Sequence, residues 1–572
     1  MIASASRNIF ATSLIALAAC LGTGSLHAQA ATPCTYYVSP NGTDPSLDAA
    51  PYPVPGKTLS TAFATLQEAH DYIFKYDNNL AITPINVCVE SGTYYATSDF
   101  SQAMQDDYNN TANNQYPDAE YASTSASVLN IYLSGGPNAE VTFEADPTNN
   151  AYVLIVQTGW NGITFAPYNG YGQLPATYVP KYVTVNGFNI QGEGYLINGA
   201  NPLKTYALSR TNNPNPQAFF DGNCIGFNGV AQGTNAVWGI PSHITISNNV
   251  ISACGGGGIA AVETDYVNIT GNSVINCSWW SIYGTSGISL LNSIDSDGVT
   301  GITKNYVTGN WVTGNNENVP WTSAHSITDG EGIIIDSNLN SSYASNPPVT
   351  AAPYASRTLV ANNVVWGNGS SGIEIFESQH VDVEGNSTYA NVWQQYPPAN
   401  FQGRGELSLD QISDVVVANN VFESVAPSYS GITTTSYPLC AQNIYNVANG
   451  GYVWFENNVY FAGSGYTVNF PNSATTPGGT SLCNGDTTDG LSLSQATLQG
   501  TEQWNSDPMY ESHAASGWPP RIDLGVTASP ATRNGCTENN SFCLAPATDV
   551  LGQRRDNPGP TYASGAFANP NE

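Results

Sequence analysis

The sequence predicts an all-β chain, a right-handed parallel β-helix with an N-terminal capping helix and an irregular C-terminal segment. Three observations lead there. A phrase built on asparagine recurs seven times, a glycine stands before a short apolar strand in several repeats, and 55 Gly and 35 Pro among 572 residues require many turns.

The asparagine phrase carries the most information. Asn248-Asn249-Val250-Ile251, Gly271-Asn272-Ser273, Gly309-Asn310-Trp311, Asn362-Asn363-Val364, Gly385-Asn386-Ser387, Asn419-Asn420-Val421 and Asn457-Asn458-Val459 share one shape. Each follows a short alternating strand such as His243-Ile244-Thr245-Ile246. Two of the spacings between successive second asparagines are 23 residues and the others 34, 38, 38 and 53. About 23 residues suffice for three short strands and their turns, one coil of a β-helix. Asparagine suits such a turn because it tolerates left-handed backbone, and amides stacked in successive coils can bond to each other. The longer spacings are insertions that project from the solenoid, concentrated between residues 273 and 362.

The glycine column sets the register. Gly258-Ile259, Gly287-Ile288, Gly332-Ile333 and Gly372-Ile373 each open a strand. Alternate residues of a strand face opposite ways, so Ser289, Ile334 and Glu374 are expected on one outer face, with Ser408 joining them after a slip of one residue. Cys254 and Cys277 each lie five residues after a phrase asparagine. They are expected to be neighbours, as a disulfide or as a thiol ladder.

Three regions follow. Residues 1–30 read as an export segment, with Arg7, an apolar run from Ile9 to Leu21 and the cleavage motif Ala28-Gln29-Ala30. This implies a secreted or periplasmic protein; Leu17-Ala18-Ala19-Cys20 offers a lipid anchor at Cys20 as the alternative. Residues 31–462 form the β-helix, capped by an amphipathic helix within Leu59 to Tyr76, and residues 463–572 are loop-rich and pack on it. No other segment is long and apolar enough to span a bilayer. Export permits disulfides, and Cys34/Cys88, Cys440/Cys483 and Cys536/Cys543 are candidate pairs.

Thirteen basic against 43 acidic residues give a net charge of −30. Such a surface repels phosphate backbones, so nucleic acid is excluded as a partner. The chain has no G-x-S-x-G elbow, Walker loop, H-E-x-x-H or C-x-x-C.

Tyr36-Tyr37-Val38-Ser39-Pro40-Asn41-Gly42-Thr43-Asp44 with Thr65-Leu66-Gln67-Glu68-Ala69 resembles the opening of secreted bacterial β-helix proteins of the pectate lyase-like superfamily. Tyr283-Gly284-Thr285-Ser286-Gly287 and Thr328-Asp329-Gly330-Glu331-Gly332 are similar to one group of them, which has Asn where Glu331 stands. The closing Asp549-Val550-Leu551-Gly552-Gln553-Arg554 is also similar. The resemblance implies the fold and a polysaccharide partner. It leaves activity open, since the superfamily holds lyases, hydrolases, epimerases and adhesins.

The register gathers acids. Asp336, Glu377 and Asp410 are expected to end the same strand in three consecutive coils, with Asp329 and Glu331 at the turn before and His380 just beyond. Neighbouring rungs lie about 4.8 Å apart and alternate rungs about 9.6 Å, which brackets the separations of paired carboxylates that cleave glycosidic bonds. These six are the candidate catalytic residues; the alternative is solubility or a structural cation. Asp295-Ser296-Asp297-Gly298 resembles part of a calcium loop, making Asp295 and Asp297 candidate Ca2+ ligands, although Ser293 and Lys304 stand where that loop wants acids. Trp279, Trp280, Trp311, Trp321 and Trp393 fall in or near insertions and are candidates to line sugar subsites or to pack. The expected function is cleavage of a polysaccharide. The superfamily tips the balance toward a cation-assisted lyase, while the scarcity of cations near the acids (Lys304, Arg357 and Arg404) tips it toward a hydrolase. A non-catalytic glycan-binding solenoid is the reading from another class.

Overall fold

The computed structural model describes residues 33–44, 55–77, 82–96, 127–157, 159–167, 178–192, 221–227, 239–339, 352–393, 404–424 and 453–461, with short strands at 428–429, 432–433, 437–444, 496–499 and 503–504. Its architecture is a parallel β-helix. In the central described coils one strand goes to each of three sheets, and each strand pairs in parallel with its counterpart in the next coil. One coil runs Ile259–Val262, Asp265–Thr270 and Ser273–Ile275; the next runs Ile288–Leu291, Thr303–Thr308 and Trp311–Thr313. Ile333–Asp336, Arg357–Ala361 and Val364–Trp366 follow, then Ile373–Phe376, Gln379–Glu384 and Ser387–Tyr389. We call these the first, second and third sheets in coil order. The long strand Gly405–Ala418 continues from the first sheet into the second. Ala496–Gln499 and Gln503–Trp504 extend the second and third sheets further.

The asparagine phrase turns the corner between the second and third sheets, and its two residues divide the work. The first of each pair sits in left-handed backbone, with φ of 53° at Asn248, 57° at Asn362, 58° at Asn419 and 54° at Asn457, and glycine serves at Gly271, Gly309 and Gly385. The second builds a buried ladder from Asn249 through Asn272, Asn310, Asn363, Asn386 and Asn420 to Asn458. At each step the Oδ1 of one asparagine accepts the backbone N–H of the previous coil's asparagine at 2.8–3.0 Å and its side-chain amide at 2.9–3.1 Å. The same amide reaches a strand carbonyl of the preceding coil, as Asn363 does to Val307 at 2.8 Å.

A second ladder, which sequence reasoning missed, leaves the third sheet: Asn315 bonds Asn368, Asn368 bonds Asn391, and Asn391 bonds Glu406. Its asparagines lie five residues after those of the first ladder, the offset shared by Cys254 and Cys277. Between the ladders the core is a stack of aliphatic rungs, including Ile259, Ile288, Ile333, Ile373 and Leu407 from the first sheet.

The amphipathic run forms a 3-10 turn, Leu59–Thr61, and an α-helix, Leu66–Tyr76, capped by the Thr65 side chain accepting from the Glu68 N–H. The helix buries Leu66, Ala69 and Ile73 against the first coil, so it covers the open end of the stack as expected. Cys34 bonds Cys88, also as expected. Cys254, however, is joined to Cys224, and Cys277 stays a buried thiol with its Sγ 3.1 Å from that of Cys254. Cys224 escaped the sequence reading because its strand stands ahead of the first asparagine phrase, Asn248-Asn249, with no earlier phrase to count from. The side chains of Cys440, Cys483, Cys536 and Cys543, the export segment and Cys20 lie outside the described residues. Among the described residues no helix is long and apolar enough to cross a membrane.

Replacing Asn363 by Ala leaves the buried Asn310 backbone N–H and one of its two amide hydrogens without an acceptor, the other staying on the Ile269 carbonyl, and each stranded donor costs about 1–3 kcal/mol. Asn363→Ala is therefore expected to lower the urea midpoint markedly; an unchanged midpoint would deny the ladder its energetic role.

Candidate active site

The outer face of the first sheet carries two rows of side chains. Pairing aligns Ala260, Ser289, Ile334, Glu374 and Ser408 in one row, and Val262, Leu291, Asp336, Phe376 and Asp410 in the other. The expected outward residues are thus outward, including Ser408 after its slip. Segments entering this sheet (276–287, 314–332 and 367–372) partly cover the first row. Glu374 is only 2% exposed, whereas Asp336, Phe376 and Asp410 are half-buried.

Acids converge where these segments meet the sheet. Glu331 accepts a hydrogen bond from the Ser286 hydroxyl at 2.6 Å and is 1% exposed. Glu374 accepts one from Ser371 at 3.0 Å and lies 2.6 Å from the Arg404 guanidinium, which also donates to the Thr328 carbonyl at 2.8 Å. The buried Glu317 accepts the backbone N–H groups of Thr328 and Asp329, both at 3.0 Å. The Thr328 hydroxyl donates to Asp329 at 2.5 Å. A side chain at Gly284 would strike the Asp329 carboxylate, so the Tyr283–Thr285 turn lies directly against that acid.

Burial and mutual repulsion raise the proton affinity of most of these groups. Burial pushes Glu331 well above the usual carboxylate range, with Glu374 and Asp329 adding to it. Glu317 moves the same way, chiefly by burial and then by Asp329. Asp329 and Glu374 are raised by burial, against the pull of Arg404. Asp336 is pushed up to about 7 by burial, with Asp329, Glu374 and Glu377 contributing and the Ser337 hydroxyl opposing. Burial works against the Arg404 charge, but Glu374, Glu331, Asp329 and Asp410 outweigh it.

The other expected residues fall as follows. Asp336 and Asp410 hold the same register position on alternate rungs, and the residue between them is Phe376, not Glu377. Glu377 is the corner residue, in left-handed backbone with φ of 41°, like Ser337 and Gln411 in the adjacent coils. Asp336 and Phe376 are each four residues past the glycine that opens their strand, so pairing without a slip leaves Glu377 one position beyond the column. His380 stands past the corner on the second sheet, its Nδ1 2.5 Å from Asp414, which Arg357 also reaches at 2.8 Å. Arg357 is further bound by Asp382.

Asp295 and Asp297 do come together, with Asp265, as three carboxylates whose oxygens lie within 4.8 Å of one another, a grouping able to share a cation. Here the cation is the buried ammonium of Lys304, at 2.6 Å from Asp295, 2.7 Å from Asp297 and 3.2 Å from Asp265. Calcium takes six to eight oxygens at about 2.3–2.6 Å, and a lysine bonded to all three acids leaves it no place. The residues present do not fit Ca2+, and no chemistry is routed through one.

Sequence reasoning missed Glu317 and named Arg404 only as one of the few cations near the acids. Both sit in insertions without a register; the adjacent Asn315-Asn316 was the available signal for Glu317. Of the tryptophans, Trp280 and Trp311 are buried, so they pack rather than face a sugar. Tyr283, 41% exposed, lies 6.3 Å from the Trp160 ring near Asp329, an aromatic pair not anticipated.

No protein-family model and no curated protein matches the chain. Solved structures do. The chain is similar to the pectate lyase Pel9A at 12% identity, with 96% of this chain and 98% of that one covered and a TM-score of 0.38. It is similar to a glycoside hydrolase at 9% identity, with 83% and 96% covered and a TM-score of 0.39. It is also similar to a rhamnogalacturonan lyase at 14% identity, with 74% and 87% covered and a TM-score of 0.33. The likeness is one of fold.

The raised carboxyl groups bind protons more tightly folded than unfolded. Their contribution to stability is full below the unfolded carboxylate range, about pH 4, and fades as pH rises through the folded value, about 7 for Asp336. The thermal midpoint is expected to fall between pH 5 and pH 8, and Asp336→Asn should flatten that slope. A midpoint that rises over this window in the native chain would contradict the assignment.

Proposed function

We propose that the acidic cluster is the active site of an exported glycoside hydrolase acting on a polysaccharide. One observation carries the reading: Asp336 and Asp410 point outward from the same register position on alternate rungs, about 9.6 Å apart in backbone terms. Inverting glycosidases keep their two carboxyl groups roughly 6.5–9.5 Å apart, which leaves room for a water. Asp336, with its proton held to about pH 7, protonates the departing glycosidic oxygen as the bond to the anomeric carbon breaks. Asp410 takes a proton from the water whose oxygen attacks that carbon from the other side. Burial, with the negative charge of Asp329, Glu374 and Glu377 behind it, keeps Asp336 protonated, while Arg404 opposes the same rise at Asp329 and Glu374.

Arg404 also supports a second reading, β-elimination from a uronate whose carboxylate the guanidinium neutralises. That charge is already engaged by Glu374, and Lys304 and Arg357 are likewise bound to carboxylates, so the hydrolase is preferred.

A panel of polysaccharides should yield new reducing ends without an ultraviolet-absorbing unsaturated product. Asp336→Asn and Asp410→Asn are each expected to lower kcat by about 10²–10⁴-fold. The native rate should fall as pH rises above about 7, where Asp336 loses its proton. Unsaturated product would establish the lyase, and binding without turnover a non-catalytic solenoid.

A further inference from the structure

Phe376 occupies the rung between Asp336 and Asp410, aligned with both in the outer row of the first sheet. Its strand neighbours Ile373 and Ile375 face the core, so its ring faces outward with Glu374, and it is half-buried. An apolar ring therefore stands about 4.8 Å along the sheet from each of the two carboxyl-bearing strands. The acidic cluster on this face holds six carboxyl groups (Glu317, Asp329, Glu331, Asp336, Glu374 and Asp410) to one guanidinium, Arg404, which is committed to Glu374.

From this juxtaposition we infer that Phe376 is the stacking platform for the sugar ring held between Asp336 and Asp410, and that the site takes uncharged pyranosides and rejects uronates. The inference rests on the proposed hydrolase and deepens it. An aromatic face is electron-rich, and the C–H groups on one side of a pyranose are its natural complement. The site offers a uronate no uncommitted guanidinium, since Arg404 is bound to Glu374, and the carboxyl groups that remain ionised repel it, most strongly where hydration is poor. Phe376 touches no reacting atom in this scheme. It is a positioning residue, and its loss should weaken binding more than it slows the bound reaction.

The test is calorimetric binding of hexasaccharides of glucose, galactose, mannose and xylose, with hexagalacturonate as the charged probe, at pH 6. Asp336→Asn serves as the parent to prevent turnover. Phe376→Ala and Phe376→Leu are added to it, the second keeping apolar volume without a ring face, and thermal midpoints confirm that each variant folds. At least one neutral hexasaccharide should bind the parent, with affinity about tenfold lower or worse in both variants and largely restored in Phe376→Tyr. Hexagalacturonate should bind more weakly than that neutral probe. Retained affinity in Phe376→Ala, tighter binding of hexagalacturonate, or no binding of any neutral probe would each overturn the inference. Binding that obeys it without cleavage by the native chain would instead sink the hydrolase reading and leave the platform standing.

Discussion

The structure depends on how a polar corner is buried inside a stack of coils. A parallel β-helix must turn its chain sharply in every coil, and each turn brings backbone N–H groups into a place that water does not reach. The asparagine ladder satisfies them. Asn363, for example, accepts from the Asn310 backbone and amide and donates to Val307 and Asn386. An unpaired buried polar group costs more than a made hydrogen bond gains, so the ladder acts chiefly by forbidding other registers. A coil shifted by one residue would leave its asparagine facing away from its partner and bury the wrong face of every strand.

That constraint reaches the candidate site. With the corner after the second sheet held, strand parity in each coil follows, and Ile333 and Ile335 go inward while Ile334 and Asp336 go outward. Segments of varying length enter the first sheet instead, where no single ladder spans all coils. They bring in Glu317, Asp329, Glu331 and Arg404, the residues that give the outer face its charge. The regular part of the repeat positions Asp336 and Asp410, and the irregular part sets their environment.

The same division explains what could be read from the sequence. The fold was legible because the ladder needs one residue type at one position, and the seven phrases that seemed to mark turns each supply a rung. Asp336, Glu374 and Asp410 were legible as outward residues because they lie on strands counted from that phrase. Glu377 was misplaced because the corner between the first and second sheets takes a left-handed residue of almost any type: Glu263, Asn292, Ser337, Glu377 and Gln411 all serve. A corner that accepts any side chain leaves no mark in the sequence. Glu317 and Arg404 were out of reach for a related reason, since their contacts are set by tertiary packing of segments with no repeat, and Cys224 because its strand precedes the first phrase. Lys304 shows the converse. Its position in a near-match to a calcium loop looked like a defect, and it proves to supply the positive charge that the three aspartates share.

The electrostatics of the cluster also constrain which acids can share the work. Six carboxyl groups around one guanidinium cannot all be ionised near neutral pH, because each added charge is opposed by those already present and burial weakens solvent screening. Protons must collect on the groups least able to recruit a cation. Glu374 holds Arg404 directly, and that pull opposes its rise. Asp336 has only the Ser337 hydroxyl against its burial and three acidic neighbours. The difference between these two comes chiefly from Arg404, which stands just before the next coil's strand beyond Glu374. Which acid of the cluster keeps its proton is thus set by the placement of a single cation rather than by any difference between the strands that bear the acids.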